Sequence, residues 1–137
     1  MAWTTYYVGS GGDDANAGTS HSARWLTIQY ALDKITDGTV GDDSIIILEN
    51  TAIFEQNGSG NKLVSGVKRD VIFIGGNSSG VIDGSRARIQ ATGIWAGTAA
   101  LWEQEHGHYT FMNIIFDSND KTDYAWEGSA STADDIA

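Results

Sequence analysis

Two acidic residues and an asparagine lie in the glycine-rich stretch GGDDANAG near the start of the chain. Asp13, Asp14 and Asn16 offer oxygen ligands at nearly alternate positions, as the first part of a calcium-binding loop does. The stretch lacks the later bidentate glutamate of an EF-hand, and the same residue types bond local backbone in ordinary turns. A turn without a cofactor is the favoured interpretation, and a calcium ion held by these three residues is the alternative.

The stretch WEQEHGHY contributes four further polar side chains, two of which could bind a metal ion. On an extended strand, Glu103 and Glu105 would share one face, while His106 and His108 would share the other. A His-x-His pair on a strand is a zinc half-site, but no third ligand is evident nearby in the sequence. A polar loop with solvated histidines is therefore the favoured interpretation.

Aromatic residues are numerous, with five tryptophans and five tyrosines among 137 residues. Trp95 and Trp102 lie in the stretch TGIWAGTAALWEQ, which has the composition of an insertion on the face of a repetitive fold. If their rings are exposed, they are the candidate glycan-binding residues. The alternative is that Trp25 fills the core under a cap and the others fill the ends of the fold or a subunit contact.

The amino-acid composition limits which kinds of secondary structure, cross-link and partner are available to a chain that positions these residues. Seventeen glycines and no proline suit many short strands and tight turns, and the absence of cysteine excludes disulfides and thiolate metal sites. The net charge of −10 argues against a nucleic acid bound through its phosphates. The first residues lack the basic start and apolar run of a secretory signal, and no apolar run reaches a membrane-spanning length.

The hydrophobic pattern predicts one helix followed by a series of short strands. Ile28, Ala31, Leu32 and Ile35 follow the spacing of a helix stripe, with Thr27 as its N-cap. No helix pattern follows. The predicted strands, separated by glycine, asparagine or serine corners, lie in SIIILEN, TAIFEQ, KLVSGV, DVIFIGG, GVIDG, ARIQATG, AALWEQ and HYTFMNIIFDSND.

Three features favour a solenoid over a sandwich or a barrel. The runs SIIIL and VIFIG are nearly unbroken, as in strands buried among parallel neighbours. Asn113 separates two β-prone runs in TFMNIIF, and asparagine suits a solenoid corner because it tolerates the left-handed conformation. No Asn-Gly or Asp-Gly dipeptide links two long alternating strands as a hairpin turn would, with Asp83-Gly84 as a partial exception. In addition, the first coil of a solenoid needs a cap, and the single helix is placed to provide one.

Four motifs in the first third of the chain occur together in one known family. They are an aromatic-valine strand at 6–8, a Gly-Asp-Asn-Gly-Thr loop at 12–19, a Thr-Ile-x-x-Ala-Leu helix at 27–32 and a Gly-Asp before the apolar run at 41–47. This segment resembles the start of right-handed parallel β-helix proteins of the pectate-lyase-like superfamily. The resemblance implies an all-β fold, a short right-handed parallel β-helix with an N-terminal capping helix. Residues 1–43 would form the first strand, turn loop and capping helix, residues 44–120 the coils, and residues 121–137 an acidic extended tail.

The resemblance also suggests a candidate catalytic set. In β-helix lyases, carboxylates bind calcium and a basic residue abstracts the proton α to a uronate carboxylate. Asp83, Arg86 and Arg88, in VIDGSRARI, are the residues that would match this chemistry. Such enzymes build their site along many coils, for which this chain has little room. Surface charges, with one arginine pairing Asp83, are therefore the favoured interpretation.

We expect a non-catalytic structural or attachment module, because the resemblance specifies a fold rather than an activity. The expected setting is a virion, as a head-decoration, fibre or tailspike-like protein, or otherwise the extracellular space without a recognisable signal peptide. Expected partners are further copies of the chain, other virion proteins and a surface glycan, but neither nucleic acid nor a membrane. The alternatives are a polysaccharide lyase-like enzyme fragment acting on acidic glycans and a glycan-binding module.

Overall fold

The computed structural model describes residues 3–36, 43–50, 53–58, 63–65, 70–95, 100–104, 108–121 and 124–128. These residues form one α-helix, one short 3₁₀ helix at His21–Ala23 and ten short strands. The elements in chain order are β1 (Trp3–Val8), α1 (Ile28–Thr36), β2 (Asp43–Glu49), β3 (Ile53–Asn57), β4 (Leu63–Ser65), β5 (Asp70–Gly76), β6 (Ala87–Thr92), β7 (Ala100–Gln104), β8 (His108–Met112), β9 (Ile114–Asp117) and β10 (Tyr124–Gly128).

The strands form three sheets, and every strand pairing in them is parallel. The first sheet has the order β1-β2-β5-β8, the second β3-β6-β9 and the third β4-β7-β10. The chain therefore visits the three sheets in the same order three times. We call these visits the first pass (β2, β3, β4), the second pass (β5, β6, β7) and the third pass (β8, β9, β10).

Residues at equivalent positions of successive passes stack into ladders through the core. In the first sheet the register aligns Tyr6 with Ile46, Ile46 with Phe73, and Phe73 with Phe111. The second sheet has a similar ladder of Phe54, Ile89 and Phe116, and the third sheet aligns Leu63 with Trp102. The core is therefore a column of side chains in which each rung is covered by the next.

The predicted helix is confirmed, as is its N-cap. Ile28, Ala31, Leu32 and Ile35 are all buried, so the spaced stripe faces the core, and α1 packs against β4 of the first pass. The backbone N–H of Tyr30 donates to Thr27 Oγ1 at 3.3 Å, as an N-cap requires.

The predicted corner at Asn113 is also confirmed. This residue separates β8 from β9 and has a φ of +56°, in the left-handed region that asparagine tolerates. Its carbonyl oxygen accepts a hydrogen bond from Ala87 N, which ties the third-pass corner to the start of β6.

Two predictions from the strand pattern are wrong. The segment GVIDG forms turns rather than a strand, because Asn77 Oδ1 accepts the N–H groups of Ser79 and Val81 and Gly80 and Gly84 adopt positive φ. The region interpreted as an extended tail contains β10, which pairs with β7 and completes the third sheet. Residues 129–137 lie outside the described residues.

Candidate functional site

The two ends of the three-sheet stack differ in how they are covered. At one end, the ladder positions of the third pass lack a further rung among the described residues. Phe73 is fully buried in the second pass, whereas Phe111 at the same ladder position is only half-buried. The same holds for Ile89 and Phe116 in the second sheet. We call this surface, formed by Tyr109, Phe111, Ile114 and Phe116, the open end.

The rings of the open end are held from one side by the core. Phe111 meets the Trp102 ring edge-on at 5.1 Å and the Phe116 ring edge-on at 5.0 Å. It also stacks on Phe73 at 5.7 Å between ring centroids. This packing supports each ring from its inner side, so that the rings together form an apolar surface. Within the described residues, β8, β9 and β10 are also the outermost strands of their sheets, so each has an edge without a strand partner.

The opposite end is closed by the N-terminal segment. The outer edge of β1 is occupied, because Tyr7 N donates to Gly18 O at 2.8 Å and Tyr7 O accepts from Trp25 N at 2.9 Å. The Trp25 ring is buried and stacks on Tyr6 at 4.8 Å, while α1 covers β4. The expectation that Trp25 fills the core under a cap is therefore confirmed.

A buried ion pair fastens this closing segment to the first pass. The Glu49 side chain is 6% exposed, and its Oε2 lies 3.1 Å from Arg24 Nε. His21 Nε2 lies 3.5 Å from the other carboxylate oxygen. Arg24 also donates hydrogen bonds to the carbonyl oxygens of Ser10 and His21. We call Glu49, Arg24 and His21 the latch, because they join β2 to the segment that covers β1.

The side chains of Asp13, Asp14 and Asn16 form hydrogen bonds with nearby residues of the same chain. Asp14 Oδ1 accepts from the N–H groups of Leu26 and Thr27 at 2.8 and 3.0 Å, and its Oδ2 accepts from Thr27 Oγ1 at 2.7 Å. Asp13 Oδ1 accepts from Ala15 N, and Asn16 Nδ2 donates to Arg24 O. These contacts describe a turn that also ties down the start of α1, and whether calcium binds there stays a prediction. Within the described residues, no group of three or more His, Asp or Glu side chains is arranged to hold a metal ion.

Asp83, Arg86 and Arg88 are not joined to one another. Asp83 accepts hydrogen bonds from Asn77 Nδ2 at 2.9 Å and Ser85 N at 3.0 Å, and hydrogen bonds from Ser85 and then Asn77 lower its pKa. Arg88 pairs instead with Asp117, Nη1 to Oδ2 at 2.7 Å, and Arg86 is exposed. The expected pairing of Asp83 with Arg86 or Arg88 is therefore wrong.

Asp117 receives its partners from the neighbouring strand and the turn that follows it. A hydrogen bond from Gln90 Nε2 at 2.9 Å is the main reason that its pKa lies below the ordinary value. The Asn119 N–H and the Arg88 guanidinium lower the pKa further. These contacts across β6 and β9 make Asp117 part of the strand pairing.

The two tryptophans proposed to bind glycan differ in their surroundings. Trp102 is fully buried in the core and contacts Phe73 and Phe111, so its ring is not available to a sugar. Its assignment as a glycan-binding residue is therefore wrong. Trp95 packs against the core in part, and its Nε1 donates to Thr92 O at 2.8 Å.

The suggested zinc half-site lies only partly within the described residues. Glu105 and His106 are outside them. His108 Nδ1 lies 3.0 Å from Asp70 Oδ1, with both side chains about half exposed, and Glu103 lies in β7. His108 and Asp70 are register partners in β8 and β5, so their contact belongs to the pairing of those strands.

Sequence reasoning missed the latch and the residues that form the open end. The latch joins residues 25 positions apart whose types alone do not indicate a pair. One residue of the sequence does reflect the latch, namely Gly9. A Cβ at position 9 would lie 1.8 Å from Glu49 Oε2, so the position of the Glu49 carboxylate requires glycine at position 9. The sequence shows no second capping pattern after the strands, but this does not indicate which residues the open end contains. No helix within the described residues is long and apolar enough to cross a membrane.

Comparison with known proteins gave no match, since no family model, no curated protein and no solved structure matches the chain. The resemblance of its first third to the pectate-lyase-like superfamily, with its tailspike, fibre and decoration types, is therefore wrong as an identification. What the described residues support is narrower, namely parallel sheets of short strands with one α-helix. The shared motifs are short and local, and they build a turn and a helix that do not require common ancestry.

Proposed function

We propose that this protein is a non-catalytic structural module that self-assembles through its open end. The observation that carries the proposal is the change in burial along the ladders, from fully buried Phe73 to half-buried Phe111 at the same position one pass later. A column of side chains that is sealed at one end and half-covered at the other favours a partner at the second end.

For the architecture we propose a short right-handed solenoid whose coils are the three passes. The support is the repeated order of visits to three parallel sheets, together with the ladders that align Ile46, Phe73 and Phe111. Crossovers between parallel strands are almost always right-handed, which is the basis for the proposed hand. In this architecture each coil contacts only its neighbours, so the last coil lacks half of its contacts.

The partner that we propose is a second copy of the chain, docked open end to open end. A head-to-tail stack would place an open end on the closed end, where β1 already bonds Gly18 and Trp25. In an isologous dimer, by contrast, the two open ends cover each other, and the assembly is closed at two subunits. Strands β8 of the two copies would then run antiparallel about the two-fold axis.

The interface should be small and its affinity modest. A standard interface buries about 800 Å² per partner, whereas the open end consists of three strands of four or five residues each. We therefore expect association at roughly micromolar concentrations or above. Four half-buried apolar side chains, Tyr109, Phe111, Ile114 and Phe116, would supply most of the contact.

Light scattering during gel filtration tests the proposal with a matched pair of variants. Phe111→Glu places a charge in the centre of the open end, and we expect it to remain monomeric at concentrations at which the wild type dimerises. Val81→Glu is the control, because Val81 is 54% exposed and follows Gly80, which lies against Tyr7 and His21 on the side of the closed end. A wild type that stays monomeric at millimolar concentration would contradict the proposal. Equal loss of dimer in both variants would also contradict it.

The virion setting predicted from the sequence stays a prediction. Self-assembly through a small, fixed apolar end suits a protein that is incorporated at high local concentration, and a particle surface is one such place. Immunogold labelling of purified particles from the source would test it, with labelling of the surrounding medium alone as the contrary result.

A further inference from the structure

The Trp25 ring extends a ladder of the first sheet beyond β1. The register of this sheet runs along one ladder from Tyr6 in β1 to Phe111 at the open end. At the other end of the ladder, the Trp25 ring stacks on Tyr6 at 4.8 Å between ring centroids, with 14° between the ring planes. Phe73 and Phe111, which are one pass apart, stack in the same manner at 5.7 Å and 23°. Trp25 therefore lies where the next rung of the ladder would lie.

The backbone of Trp25 also takes the place of a strand. It forms an isolated parallel bridge with Val8 of β1. The N–H of Trp25 donates to Tyr7 O at 2.9 Å, and its carbonyl oxygen accepts from Gly9 N at 3.0 Å. The strand pairings of the first sheet are parallel in the same way. Ring and backbone of Trp25 thus make, within one chain, the contacts that a parallel strand of another copy would make with β1.

Trp25 belongs to a larger unit, residues 13–36, which we call the lid. Asp14 connects its turn to α1, because the Asp14 carboxylate accepts hydrogen bonds from the N–H groups of Leu26 and Thr27. α1 packs against β4, so the lid covers the third sheet as well as the first. The latch fastens the lid to Glu49 in β2. In a head-to-tail stack, the open end of a second copy would need the place that the lid occupies.

We propose that the lid is an intramolecular substitute for the third pass of another copy, and that it limits assembly to two subunits. When the lid is displaced, the bare edge of β1 accepts β8 of a second copy, and Phe111 of that copy replaces Trp25 on Tyr6. This contact is heterologous, so both ends of the assembly accept further copies and a filament grows. The inference rests on the proposed self-assembly, because the same open end docks in both cases.

The latch determines how often the lid opens. With the latch intact, the buried face of α1 holds the lid on the core, so open copies are rare and the dimer is the product. Glu49→Gln leaves Arg24 without its carboxylate partner, which should raise the population of open copies about 100-fold. Asp14→Ala is a milder second variant, since it removes only the hydrogen bonds that connect the turn to α1, and should raise that population about tenfold.

Disulfide trapping distinguishes the two ways of docking. Thr5 in β1 and Thr110 in β8 lie on one ladder of the first sheet, through Ile45 and Ile72. In a head-to-tail stack, Thr110 of one copy and Thr5 of the next lie on adjacent strands about 4.8 Å apart, which a disulfide spans. A Thr5→Cys chain is therefore mixed with a Thr110→Cys chain and oxidised mildly. Mass spectrometry of the digested product shows which positions are joined.

In the Glu49→Gln background, we expect the disulfide between positions 5 and 110 to exceed its yield in chains that retain Glu49 by at least about tenfold. Phe111→Glu in the Thr110→Cys chain should abolish this product, because the open end is the docking surface. Val81→Cys in place of Thr5→Cys is the control, since Val81 is 54% exposed on the side of the closed end but outside β1, and it should give no product.

The products separate failure of the lid inference from failure of self-assembly. Disulfides that join two copies at position 110, without any between positions 5 and 110 in either lid variant, would overturn the lid inference and leave self-assembly intact. Equal yields between positions 5 and 110 with and without Glu49→Gln and Asp14→Ala would overturn the role of the lid as a stop. The absence of both kinds of disulfide would contradict docking through the open end, and with it both proposals.

Discussion

Removal of the charge on Glu49 should loosen the closed end of the molecule. The substitution Glu49→Gln keeps the volume of the side chain, so it creates no cavity, but it leaves Arg24 without its carboxylate partner. The Glu49 side chain is 6% exposed and the Arg24 side chain 19%, which places the pair among buried ion pairs. The unfolding free energy of the protein should therefore fall.

The size of the loss in unfolding free energy depends on the hydrogen bonds that Arg24 retains in the Glu49→Gln variant. Loss of one partner of a buried ion pair costs about 3–5 kcal/mol. Arg24 still has the carbonyl oxygens of Ser10 and His21 as acceptors, so we expect the lower end of that range, about 3 kcal/mol. For a chain of this length, such a loss lowers Tm by about 10 °C.

Urea unfolding monitored by tryptophan fluorescence at pH 7 measures the effect. Protein concentration should be low enough to keep the chain monomeric, because association stabilises the native state. Glu55→Gln is the control, since Glu55 is exposed in β3, and it should change stability by less than about 0.5 kcal/mol. A loss below about 1 kcal/mol for Glu49→Gln would refute the inference that this ion pair fastens the closed end.

Three further perturbations test the N-terminal turn and the strand pairing. Asp14→Ala should cost about 1–2 kcal/mol by urea unfolding, equally with and without added calcium, because its oxygens accept backbone N–H groups. Gly18→Ala should lower Tm far more than Gly84→Ala: both have positive φ, but only at Gly18 would a Cβ strike a ring, that of Trp25. The pKa of Asp117 is lowered by folding, so its stabilising effect is complete above pH 3.8 and is lost as pH falls through the folded-state pKa. Asp117→Asn should therefore flatten the acid limb of the stability–pH curve measured by denaturant unfolding.

Local patterns in the sequence predicted the elements that depend on local physics. The stripe of Ile28, Ala31, Leu32 and Ile35 predicts α1 because a helix repeats every 3.6 residues, whatever it packs against. Asn113 indicates a corner because its side chain lowers the cost of a left-handed backbone. Both features are decided within a few residues of the chain.

Features that depend on side-chain hydrogen bonds or on distant contacts were predicted poorly. Val81 and Ile82 look like strand residues, but hydrogen bonds between Val81 and Asn77 form a turn, in which Val81 and Ile82 are half-exposed. Trp102 looks like a surface ring in a glycine-rich insertion, but its register with Leu63 places it in the core. Register between passes decides where Trp102 lies, and it is set over distances of 24 to 39 residues that show no strict repeat in the sequence.

Disulfide trapping at the open end tests the central claim most directly, because the chain contains no cysteine of its own. His108, Thr110 and Met112 alternate along β8 and are exposed, so a single cysteine at each of them reports on β8 of a second copy. If two copies pair through antiparallel β8 strands, residues near the two-fold axis approach to about 4.5–5.5 Å between Cα atoms, within the range that a disulfide spans. We predict a covalent dimer after mild oxidation of Thr110→Cys or an adjacent exposed position, and none for Val81→Cys at the closed end. Monomers at all three β8 positions, at concentrations where the wild type is dimeric, would contradict the account.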